Sequence, residues 1–539
     1  MNTLLVLYAG GLSGEATEAL LDGKNSLSLA IERARAFPGV GKTVLLAGPG
    51  PQSPDSVPKD VLVESRGEPW NVKALLEAVA VHSQGFDFSY FAWADCPFLD
   101  PGLAGKLAQR HIEYAAEYSY ADGWPYGLAP ELLSPGTAAL LAKILGDDDG
   151  GPVGRDALFS VIQKDINAFD IETEISSADL RCHRVALCAD SKRNLLLLRR
   201  FADHKSGIPD ADEVERMIVE KPETLTEKGF LRTLPAFYPI QVYGGCPQSC
   251  ALCPWPTASG SPVTERRDYM EAERFEALLE KIAAFSGEAV IDLSLWGELA
   301  LHPQKLGLIE AVLRRPELAL VIETSGIGWK SAELERIAEL AGKAPPRRAA
   351  NPAALSWIVS LDTADPARYG EIRGAGFAEA NDCAKKLLSL FPKDAYVQAV
   401  RTQGAEDDIE RFYRSWQDTI GGTANIIIQK HDDFCGMLPR KQASDLSPVQ
   451  RQPCWHLMRD MPILIDGTVP LCRQQIAATM DGAASKPETA LGNAFGEPLE
   501  TIWERGKRHY DGHVSAGAGT GAQYGPLCVK CDEYYTYNF

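Results

Sequence analysis

The residues best suited to chemistry in this chain are cysteines, and three of them lie close together at Cys246, Cys250 and Cys253. Three thiolates within eight residues can hold one side of an iron–sulfur cube and leave one iron without a protein ligand. A structural zinc ion prefers four ligands in a closed tetrahedron, so zinc would need a further ligand from elsewhere in the chain. The spacing therefore predicts an iron–sulfur site with one open position, and zinc is the alternative.

A second set of cysteines comprises Cys454, Cys472, Cys528 and Cys531, separated by 17, 55 and 2 residues. The turn Asp466-Gly467 between the first two predicts a β-hairpin. Four thiolates would leave no open iron, so such a cluster would relay electrons and bind no further ligand. The spacing alone leaves a zinc site with four thiolate ligands as an open alternative.

These cysteines need a framework, and the chain alternates apolar strand-like runs with helix-like segments. Such alternation predicts an α/β fold with mainly parallel sheets. The first cysteine loop directly follows the strand-like run 240–243 and the turn Gly244-Gly245. Catalytic groups in parallel α/β folds sit at the carboxyl ends of strands, which is where this loop falls.

Composition limits the classes of function. The 539 residues suggest three or four domains at roughly 100–200 residues each. Lys and Arg number 54 against 73 Asp and Glu, and the resulting net charge of −19 argues against a broad grip on nucleic acid.

Membrane and export signals are not expected. No run approaches the roughly 20 apolar residues that cross a bilayer. The start of the chain, residues 1–8, is typical of a first β-strand and not of a signal peptide. A cytoplasmic, reducing location follows, where closely spaced cysteines are more often metal ligands than disulfides.

With its position after a strand, the Cys-x3-Cys-x2-Cys loop resembles the radical S-adenosylmethionine (radical SAM) superfamily. The resemblance implies a 4Fe–4S cluster on Cys246, Cys250 and Cys253 whose open iron is chelated by the amino and carboxylate groups of SAM. It also implies an electron from a low-potential donor such as flavodoxin or ferredoxin, and release of a 5′-deoxyadenosyl radical that attacks a substrate.

Further segments resemble the superfamily in chain order and imply roles for particular residues. Trp296-Gly297-Glu298 resembles its Gly-Gly-Glu segment, which implies that Glu298 contacts the SAM amino group. Thr324-Ser325-Gly326 resembles its Thr-Asn-Gly strand end. Ser360-Leu361-Asp362, with Ile372-Arg373-Gly374, resembles its Ser-Leu-Asp and Ile-Arg-Gly pattern, which implies that Ser360 contacts the ribose and Arg373 the SAM carboxylate.

The second cysteine set resembles the SPASM/Twitch extensions of radical SAM enzymes. With four cysteines, the resemblance implies one auxiliary 4Fe–4S cluster. In some relatives the residue after the second such cysteine is an Asp that can act as a base. This chain has Arg473 at that position, so the role of a base does not transfer. Of the other cysteines, Cys188 and Cys383 are expected to behave as small buried hydrophobes, and Cys435 is a candidate for lining the site.

The N-terminal residues resemble GT-A-like nucleotidyltransferases. The resemblance implies a glycine loop at Gly10-Gly11 that holds nucleotide phosphates, and Mg²⁺ ligands at Asp95 and Asp170. Glu15 stands where the family has positive charge, and phosphoryl transfer depends on such a charge. We therefore expect this domain to bind a nucleotide, a sugar nucleotide or a protein partner without catalysing transfer.

The predicted architecture has three domains and a linker. A GT-A/Rossmann-like domain spans residues 1–182, a helical linker 183–232, a partial (β/α)6 TIM-like radical SAM barrel 233–440, and a small α+β SPASM/Twitch domain 441–539. This arrangement resembles a spirochaete-associated radical SAM/SPASM (spiro-SPASM) family. It predicts an enzyme that modifies an unidentified substrate, either a peptide or protein or a nucleotide- or sugar-linked molecule. The alternatives are nucleotidyl transfer with structural cysteines and a zinc-stabilised binding scaffold without radical chemistry.

Overall fold

The structure is a computed structural model of the full chain. It describes residues 1–49, 57–148, 150–219, 230–258, 262–347, 353–422, 425–448, 451–475, 490–517 and 524–536. The chain divides into two compact units, of which the first is Met1–Thr233 and the second consists mainly of Leu234–Arg348 and Pro352–Phe539. The finer division into three domains and a linker stays a prediction.

The first unit is built on a seven-stranded sheet in the order β5-β4-β1-β6-β8-β7-β9. All neighbouring pairs are parallel except those that involve β8. Its strands are β1 (Thr3–Ala9), β2 (Ala19–Leu21), β3 (Lys24–Asn25), β4 (Val40–Ala47), β5 (Leu62–Ser65), β6 (Ser89–Trp93), β7 (Tyr118–Asp122), β8 (Glu131–Leu133) and β9 (Ile171–Ile175), with β2 and β3 forming a separate hairpin. Its helices are α1 (Ser26–Arg35), α2 (Val72–His82), α3 (Pro101–Glu113), α4 (Thr137–Leu145), α5 (Ala157–Ile162), α6 (Lys192–Lys205) and α7 (Ala211–Val219).

The second unit carries a six-stranded parallel sheet in simple chain order, which forms a half-barrel. Its strands are β10 (Phe237–Pro239), β11 (Ala289–Asp292), β12 (Leu318–Thr324), β13 (Leu355–Ser360), β14 (Ala395–Arg401) and β15 (Ile426–Lys430). The helices between them are α8 (Trp255–Ala258), α9 (Ala272–Ser286), α10 (Lys305–Leu313), α11 (Ser331–Gly342), α12 (Pro366–Ile372), α13 (Phe377–Leu390) and α14 (Glu406–Ile420). The mixed α/β class with parallel strands is the one expected from the sequence.

The local sequence explains why these elements form where they do. β12 is apolar on both faces because helices and the barrel interior cover it, as parallel strands require. Asp365 caps α12 by accepting hydrogen bonds from the backbone N–H groups of Ala367 and Arg368, and Pro366 begins the helix with its preset φ. The cysteine loop and the other strand-end segments therefore start from rigid elements.

The C-terminal segment of the second unit packs beside the first barrel strand. It contains α15 (Trp455–Arg459), β16 (Thr468–Pro470), β17 (Ala490–Asn493), α16 (Leu499–Gly517) and α17 (Pro526–Lys530). The turn expected at Asp466-Gly467 is present, since the Leu464 N–H donates to the carbonyl oxygen of Thr468 at 2.8 Å. Beyond the turn the two segments pair elsewhere: β16 pairs with β17, and Ile463 bridges Ile240 next to β10. This bridge fixes the second cysteine set next to the barrel. Within the described helices, no stretch has the length and apolar character required to cross a membrane.

Candidate active site

A cavity of about 290 Å³ opens at the carboxyl ends of the half-barrel strands. All nine residues that the sequence assigned to the first cluster and to SAM line this one cavity. They are Cys246, Cys250, Cys253, Gly297, Glu298, Thr324, Ser325, Ser360 and Arg373. They come from four successive strand-end segments, and the parallel sheet brings these segments to one rim.

The cysteine loop is held in place by backbone hydrogen bonds from both sides. The N–H of Ala251 donates to the carbonyl oxygen of Ile372 at 2.8 Å, and the N–H of Cys246 donates to that of Val263 at 3.0 Å. Burial raises the pKa of the Cys253 thiol to about 12 and also raises that of Cys250, where the nearby Arg373 guanidinium acts in the opposite direction. Thiols in such a setting stay protonated until a metal takes the place of the proton.

Glu298 is a buried carboxylate that is satisfied by neutral donors alone. It is 3% exposed and accepts hydrogen bonds from the Thr324 hydroxyl (2.8 Å), the Ser325 N–H (2.8 Å), the Ser325 hydroxyl (2.7 Å) and the Ala300 N–H (3.1 Å). No Lys, Arg or His of the described residues forms an ion pair with it. Burial raises its pKa, although these hydrogen bonds work in the opposite direction. Its negative charge therefore remains available to a cationic group in the cavity.

Gly297 and Trp296 shape the rim beside this carboxylate. A Cβ on Gly297 would lie 1.7 Å from the carbonyl oxygen of Tyr243, so only glycine fits there. Trp296 adopts a positive φ of 47°, which is unusual for a bulky residue. Its ring stacks on Trp255 at 6.4 Å and meets Phe434 edge-on at 5.7 Å. These three aromatic rings wall the cavity and exclude water from that side.

A polar group at the ends of β12, β13 and β14 faces the same cavity. The Ser360 hydroxyl donates to Glu323 at 2.5 Å, and the Gln398 side-chain amide donates to the same Glu323 oxygen at 2.8 Å and to Ser360 at 3.2 Å. This cluster offers several acceptors and donors to the hydroxyl groups of a ligand. Sequence reasoning identified Ser360 but missed Glu323 and Gln398.

Arg373 reaches the cavity already paired. Its Nε donates to Asp362 at 2.6 Å, and one terminal nitrogen lies 4.0 Å from the Cys250 sulfur. Asp362 also accepts from the Val400 N–H at 2.9 Å, so the guanidinium is held in a fixed orientation. Asp362 belongs to the quoted Ser-Leu-Asp pattern but was not assigned a role. The sequence had no signal that it would position Arg373.

Asp292, at the end of β11, is another lining residue that sequence reasoning missed. Burial raises the pKa of its carboxyl group to about 6, and repulsion from Glu323 contributes in the same direction. Its only signal in the sequence is an acid that ends an apolar strand-like run, which is also common in solvated turns. It adds a further acid to the cavity, beside Glu298, Glu323 and Asp362.

The second cysteine set forms a separate, closed group. Cys454, Cys472, Cys528 and Cys531 line a small cavity of about 20 Å³, together with apolar side chains such as Leu457 and polar ones such as His513. Burial raises the pKa values of Cys454, Cys472 and Cys528. Four convergent thiols fit a fully ligated 4Fe–4S cluster, and their chemistry equally fits zinc.

Charged residues connect the closed group to the barrel cavity. The Arg473 guanidinium lies 3.2 Å from Glu533 and 3.8 Å from Asp432, and Lys430 forms an ion pair with the same glutamate. Glu533, Asp432 and Asp532 could suggest a cation site, but the ammonium and guanidinium groups already supply the positive charge there. Arg473 and Asp432 both line the barrel cavity.

In the first unit, Asp95 lies at the carboxyl end of β6 but is fully paired. The Arg155 guanidinium donates to both of its carboxylate oxygens, at 2.9 and 2.6 Å, and also to Asp190 at 3.1 Å. The same guanidinium packs over the Trp93 ring at 4.2 Å and the Tyr126 ring at 5.4 Å. A side-chain cation thus occupies the place beside Asp95 that the sequence reserved for Mg²⁺.

The structure does not bring Asp170 to Asp95. Asp170 directly precedes β9 and is exposed, whereas Asp95 follows β6. β6, β7 and β9 run in the same direction, because β8 is antiparallel to both β6 and β7, and β7 is parallel to β9. The two acids therefore lie at opposite edges of the sheet, and the acid beside Asp95 is Asp190. The expectation that Asp95 and Asp170 hold Mg²⁺ together is therefore wrong. Their positions in the sequence do not show at which end of the strands each acid lies.

The remaining cysteines partly follow expectation. Cys383 is 7% exposed and packs in the core of the second unit. Cys188 is 1% exposed, but its thiol also donates to Asp190 at 3.2 Å, so it is more than an apolar filler.

Relatives exist among known sequences, although no protein-family model matches the chain. A protein of Treponema pallidum (strain Nichols), described as uncharacterized, is 35% identical over 389 residues, which cover 71% of this chain and 98% of the relative. A second uncharacterized protein of the same strain is 44% identical over 54 residues, 10% of this chain and 25% of that protein.

Three solved structures are similar in part. SuiB of Streptococcus suis bound to the precursor peptide SuiA has a TM-score of 0.42 at 15% identity and covers 65% of this chain and 88% of its own. The structure of anSMEcpe with bound AdoMet has a TM-score of 0.38 at 13% identity, and the match covers 56% of this chain and 87% of that one. A cytidylyltransferase of Leptospira borgpetersenii has a TM-score of 0.34 at 16% identity, and the match covers 41% of this chain and 95% of that one. The first of these Treponema pallidum proteins is matched over nearly its whole length. The chain therefore belongs to the same family as that protein.

Proposed function

We propose that this protein is a radical SAM enzyme with one auxiliary 4Fe–4S cluster, and that it modifies an unidentified substrate. One observation carries the proposal: three thiols of a single loop face the same cavity as an uncompensated buried carboxylate and a fixed guanidinium. A ligand that chelates metal through an α-amino and an α-carboxylate group needs this combination. The Treponema relatives agree with membership in the spirochaete-associated radical SAM/SPASM family.

The residues would divide the work of binding among them. Cys246, Cys250 and Cys253 would hold a cluster with one open iron, and cluster and SAM together supply reductive cleavage to a 5′-deoxyadenosyl radical. Glu298 attracts the SAM ammonium, and Arg373, oriented by Asp362, attracts the SAM carboxylate.

Other cavity residues bind and shield the ligand. Ser360, Gln398 and Glu323 present hydrogen-bonding groups to the ribose hydroxyls. Trp255, Trp296 and Phe434 exclude water from one side, which protects a reactive radical from quenching. A substrate enters the same cavity on the side of Asp292, Asp432 and Arg473, and a low-potential donor such as flavodoxin or ferredoxin supplies the electron.

The first unit fits a binding role better than nucleotidyl transfer. Arg155 neutralises Asp95, and Asp170 lies at the other edge of the sheet. Neither acid is therefore arranged to hold Mg²⁺ with the other. We propose that this unit recruits or presents a nucleotide- or sugar-linked substrate or a protein substrate, and that the protein works in the cytoplasm.

The test is an anaerobic purification followed by counting of iron, sulfide and zinc, then addition of dithionite and SAM and detection of 5′-deoxyadenosine. We expect about eight irons per chain, four for each cluster, and SAM cleavage. Cys250→Ser removes a ligand of the open cluster and should abolish cleavage, whereas Cys528→Ser should leave cleavage uncoupled from substrate. The matched control is Cys383→Ala, which alters a core cysteine outside both cavities and should leave both the iron content and cleavage unchanged. Zinc in place of iron, with no cleavage, would refute the proposal and favour a zinc-stabilised scaffold.

A further inference from the structure

Two histidines line the closed cysteine cavity, and they differ in their hydrogen bonds. The Nδ1 atom of His456 lies 2.6 Å from the Asp460 carboxylate. His513, on α16, is 3% exposed, and neither of its ring nitrogens has a hydrogen-bond partner among the described residues. Burial of a polar group without a partner is costly, so buried polar side chains nearly always have one. We therefore expect the partner of His513 in the cavity that it shares with Cys454, Cys472, Cys528 and Cys531.

The fold holds this imidazole firmly beside the cysteines. The Tyr524 ring meets it edge-on, with the ring centroids 4.9 Å apart. One turn earlier on α16, the hydroxyl of the buried Tyr510 contacts the sulfur of Met458 on α15 at 3.9 Å. Since α15 begins directly after Cys454, the helix that carries His513 is fixed against a segment that carries one of the four predicted ligands.

A positive charge lines the same cavity. The Arg451 guanidinium donates from one terminal nitrogen to the carbonyl oxygen of Cys528 at 2.7 Å. It also packs over the Tyr524 ring at 4.7 Å and the Tyr534 ring at 4.2 Å, which fixes its position. A 4Fe–4S cluster with four thiolate ligands carries a net negative charge. A guanidinium and an N–H donor on the cavity wall are therefore complementary to such a cluster.

The number of cysteines places the histidine outside the set of metal ligands. Four thiolates supply one ligand to each iron of a 4Fe–4S cube, and an imidazole has at least one N–H in either charge state. We propose that His513 donates a hydrogen bond to a sulfur atom of the auxiliary 4Fe–4S cluster and thereby raises its reduction potential. Reduction adds negative charge to the cluster, so a donor at its sulfur atoms stabilises the reduced state more than the oxidised one. The inference rests on the proposed auxiliary cluster, and His513 is a positioning residue that acts only through it.

The test measures the reduction potential of the auxiliary cluster by anaerobic redox titration. The full-length chain with Cys246, Cys250 and Cys253 replaced by Ser is the parent, so that the closed site alone is titrated. His513→Leu removes the N–H and fills its space with an apolar side chain. We expect a tenfold weaker preference for the reduced state, which lowers the potential of a one-electron couple by about 59 mV. The iron and sulfide contents should not change.

Two amide variants and one control separate the hydrogen bond from packing. His513→Gln and His513→Asn place an amide N–H close to the positions of Nε2 and Nδ1, and one of them should restore most of the potential. Failure of both would assign the shift to packing and overturn the inference. The matched control is His509→Leu, one turn earlier on α16 and outside the cavity lining, which should leave the potential unchanged.

Pulsed EPR of the reduced cluster with isotopically labelled histidine is a second readout, and it can be run on the parent alone. A hydrogen bond to sulfur gives a weak nitrogen coupling and an exchangeable proton coupling, and both should be absent from His513→Leu. A strong coupling, typical of nitrogen bound directly to iron, would overturn the inference while leaving the cluster in place. So would an iron-loaded parent without nitrogen coupling, or an unchanged potential in His513→Leu. Zinc or no metal in the parent would overturn both the inference and the auxiliary cluster.

Discussion

Two carboxylates, one in each unit, lie at comparable positions and are equally buried, yet their surroundings differ. Glu298 in the half-barrel and Asp95 in the first unit are each 3% exposed and follow a parallel strand. Glu298 is surrounded by hydroxyl and N–H donors that carry no charge. Asp95 is paired through both oxygens with the Arg155 guanidinium.

The difference shows which buried carboxylates can still attract a cationic ligand and which are already neutralised by an ion pair. Neutral donors stabilise an ionised carboxylate without cancelling its charge, so Glu298 can still attract an ammonium group. A guanidinium fork cancels the charge and fills the space beside it, so Asp95 supports the fold. Burial of an acid at a strand end is therefore an incomplete sign of function, and the chemistry of its donors decides.

The largest expected effect is a loss of stability on removal of the Arg155 guanidinium that pairs with Asp95. Arg155→Met leaves Asp95 buried without a cation and should destabilise the first unit by about 3 kcal/mol, because breaking one side of a buried pair strands the other charge. Urea unfolding followed by tryptophan fluorescence measures the change. Arg181→Met is the matched control, since Arg181 is 62% exposed in its pair with Asp122 and should cost less than about 1 kcal/mol. Equal effects of the two substitutions would contradict a structural role for the Asp95 pair.

The next effect concerns the available acid. Glu298→Gln keeps the shape of the side chain but removes the charge, and should weaken SAM binding about tenfold, the cost of one charge-assisted contact. Equilibrium binding of SAM to the anaerobic iron-loaded protein measures it. Glu339→Gln, at an exposed position on α11, is the control and should leave the affinity unchanged. If the two variants bind SAM equally well, Glu298 is an anchor for the Ser325 segment and not a SAM contact.

An effect of similar size separates charge from geometry at Asp95. Arg155→Lys keeps the positive charge but cannot form two parallel hydrogen bonds, so it should cost about 1–2 kcal/mol, less than Arg155→Met. The same unfolding experiment compares the two. A lysine variant as unstable as the methionine variant would show that the fork, and not the charge, holds Asp95.

The smallest expected effect is a pH dependence at Glu298. Its pKa is raised in the folded protein, chiefly by burial, so the carboxyl group takes up a proton at a higher pH than an ordinary glutamate. SAM binding should therefore weaken as pH falls through this raised value. The free energy of unfolding changes in the opposite direction. Because the folded state holds this proton more tightly than the unfolded state, the contribution of Glu298 to that free energy falls as pH rises from the ordinary pKa of a glutamate to the raised pKa. Binding and unfolding measured from about pH 8 to pH 5 should show both trends in the native protein. In Glu298→Gln the binding trend should disappear, and the stability trend should shrink to the part contributed by other acids with a raised pKa, such as Asp292; an unchanged profile in the variant would assign both trends to those acids.

The local pattern was enough to predict much of the half-barrel and its rim. The spacing of Cys246, Cys250 and Cys253 predicted a metal site, and resemblance to the radical SAM superfamily assigned further site residues up to Arg373; these assigned residues line one cavity. This works because parallel strands in simple order bring their carboxyl ends to one edge, so order along the chain becomes proximity in space. The helix-like segments 274–285 and 332–340 of the sequence are present as α9 and α11, which extend one or two residues further at each end.

The positions of partners that come from distant parts of the chain were not predictable in this way. Arg155 lies 60 residues from Asp95, and nothing in the local sequence marks it as the partner. Asp170 was expected beside Asp95, but Asp95 follows β6 and Asp170 precedes β9, and because these two strands run in the same direction the acids lie at opposite ends of the strands.

The sequence by itself therefore determined the α/β class, the two groups of cysteines and the order of the strand-end motifs, since these depend on residue type and short spacing. Only the tertiary structure decided which buried acid keeps its charge and which acid lies beside Asp95. The physical reason is that the charge state of a buried group depends on the donors within hydrogen-bond distance, and those donors come from strands and loops far apart in the chain.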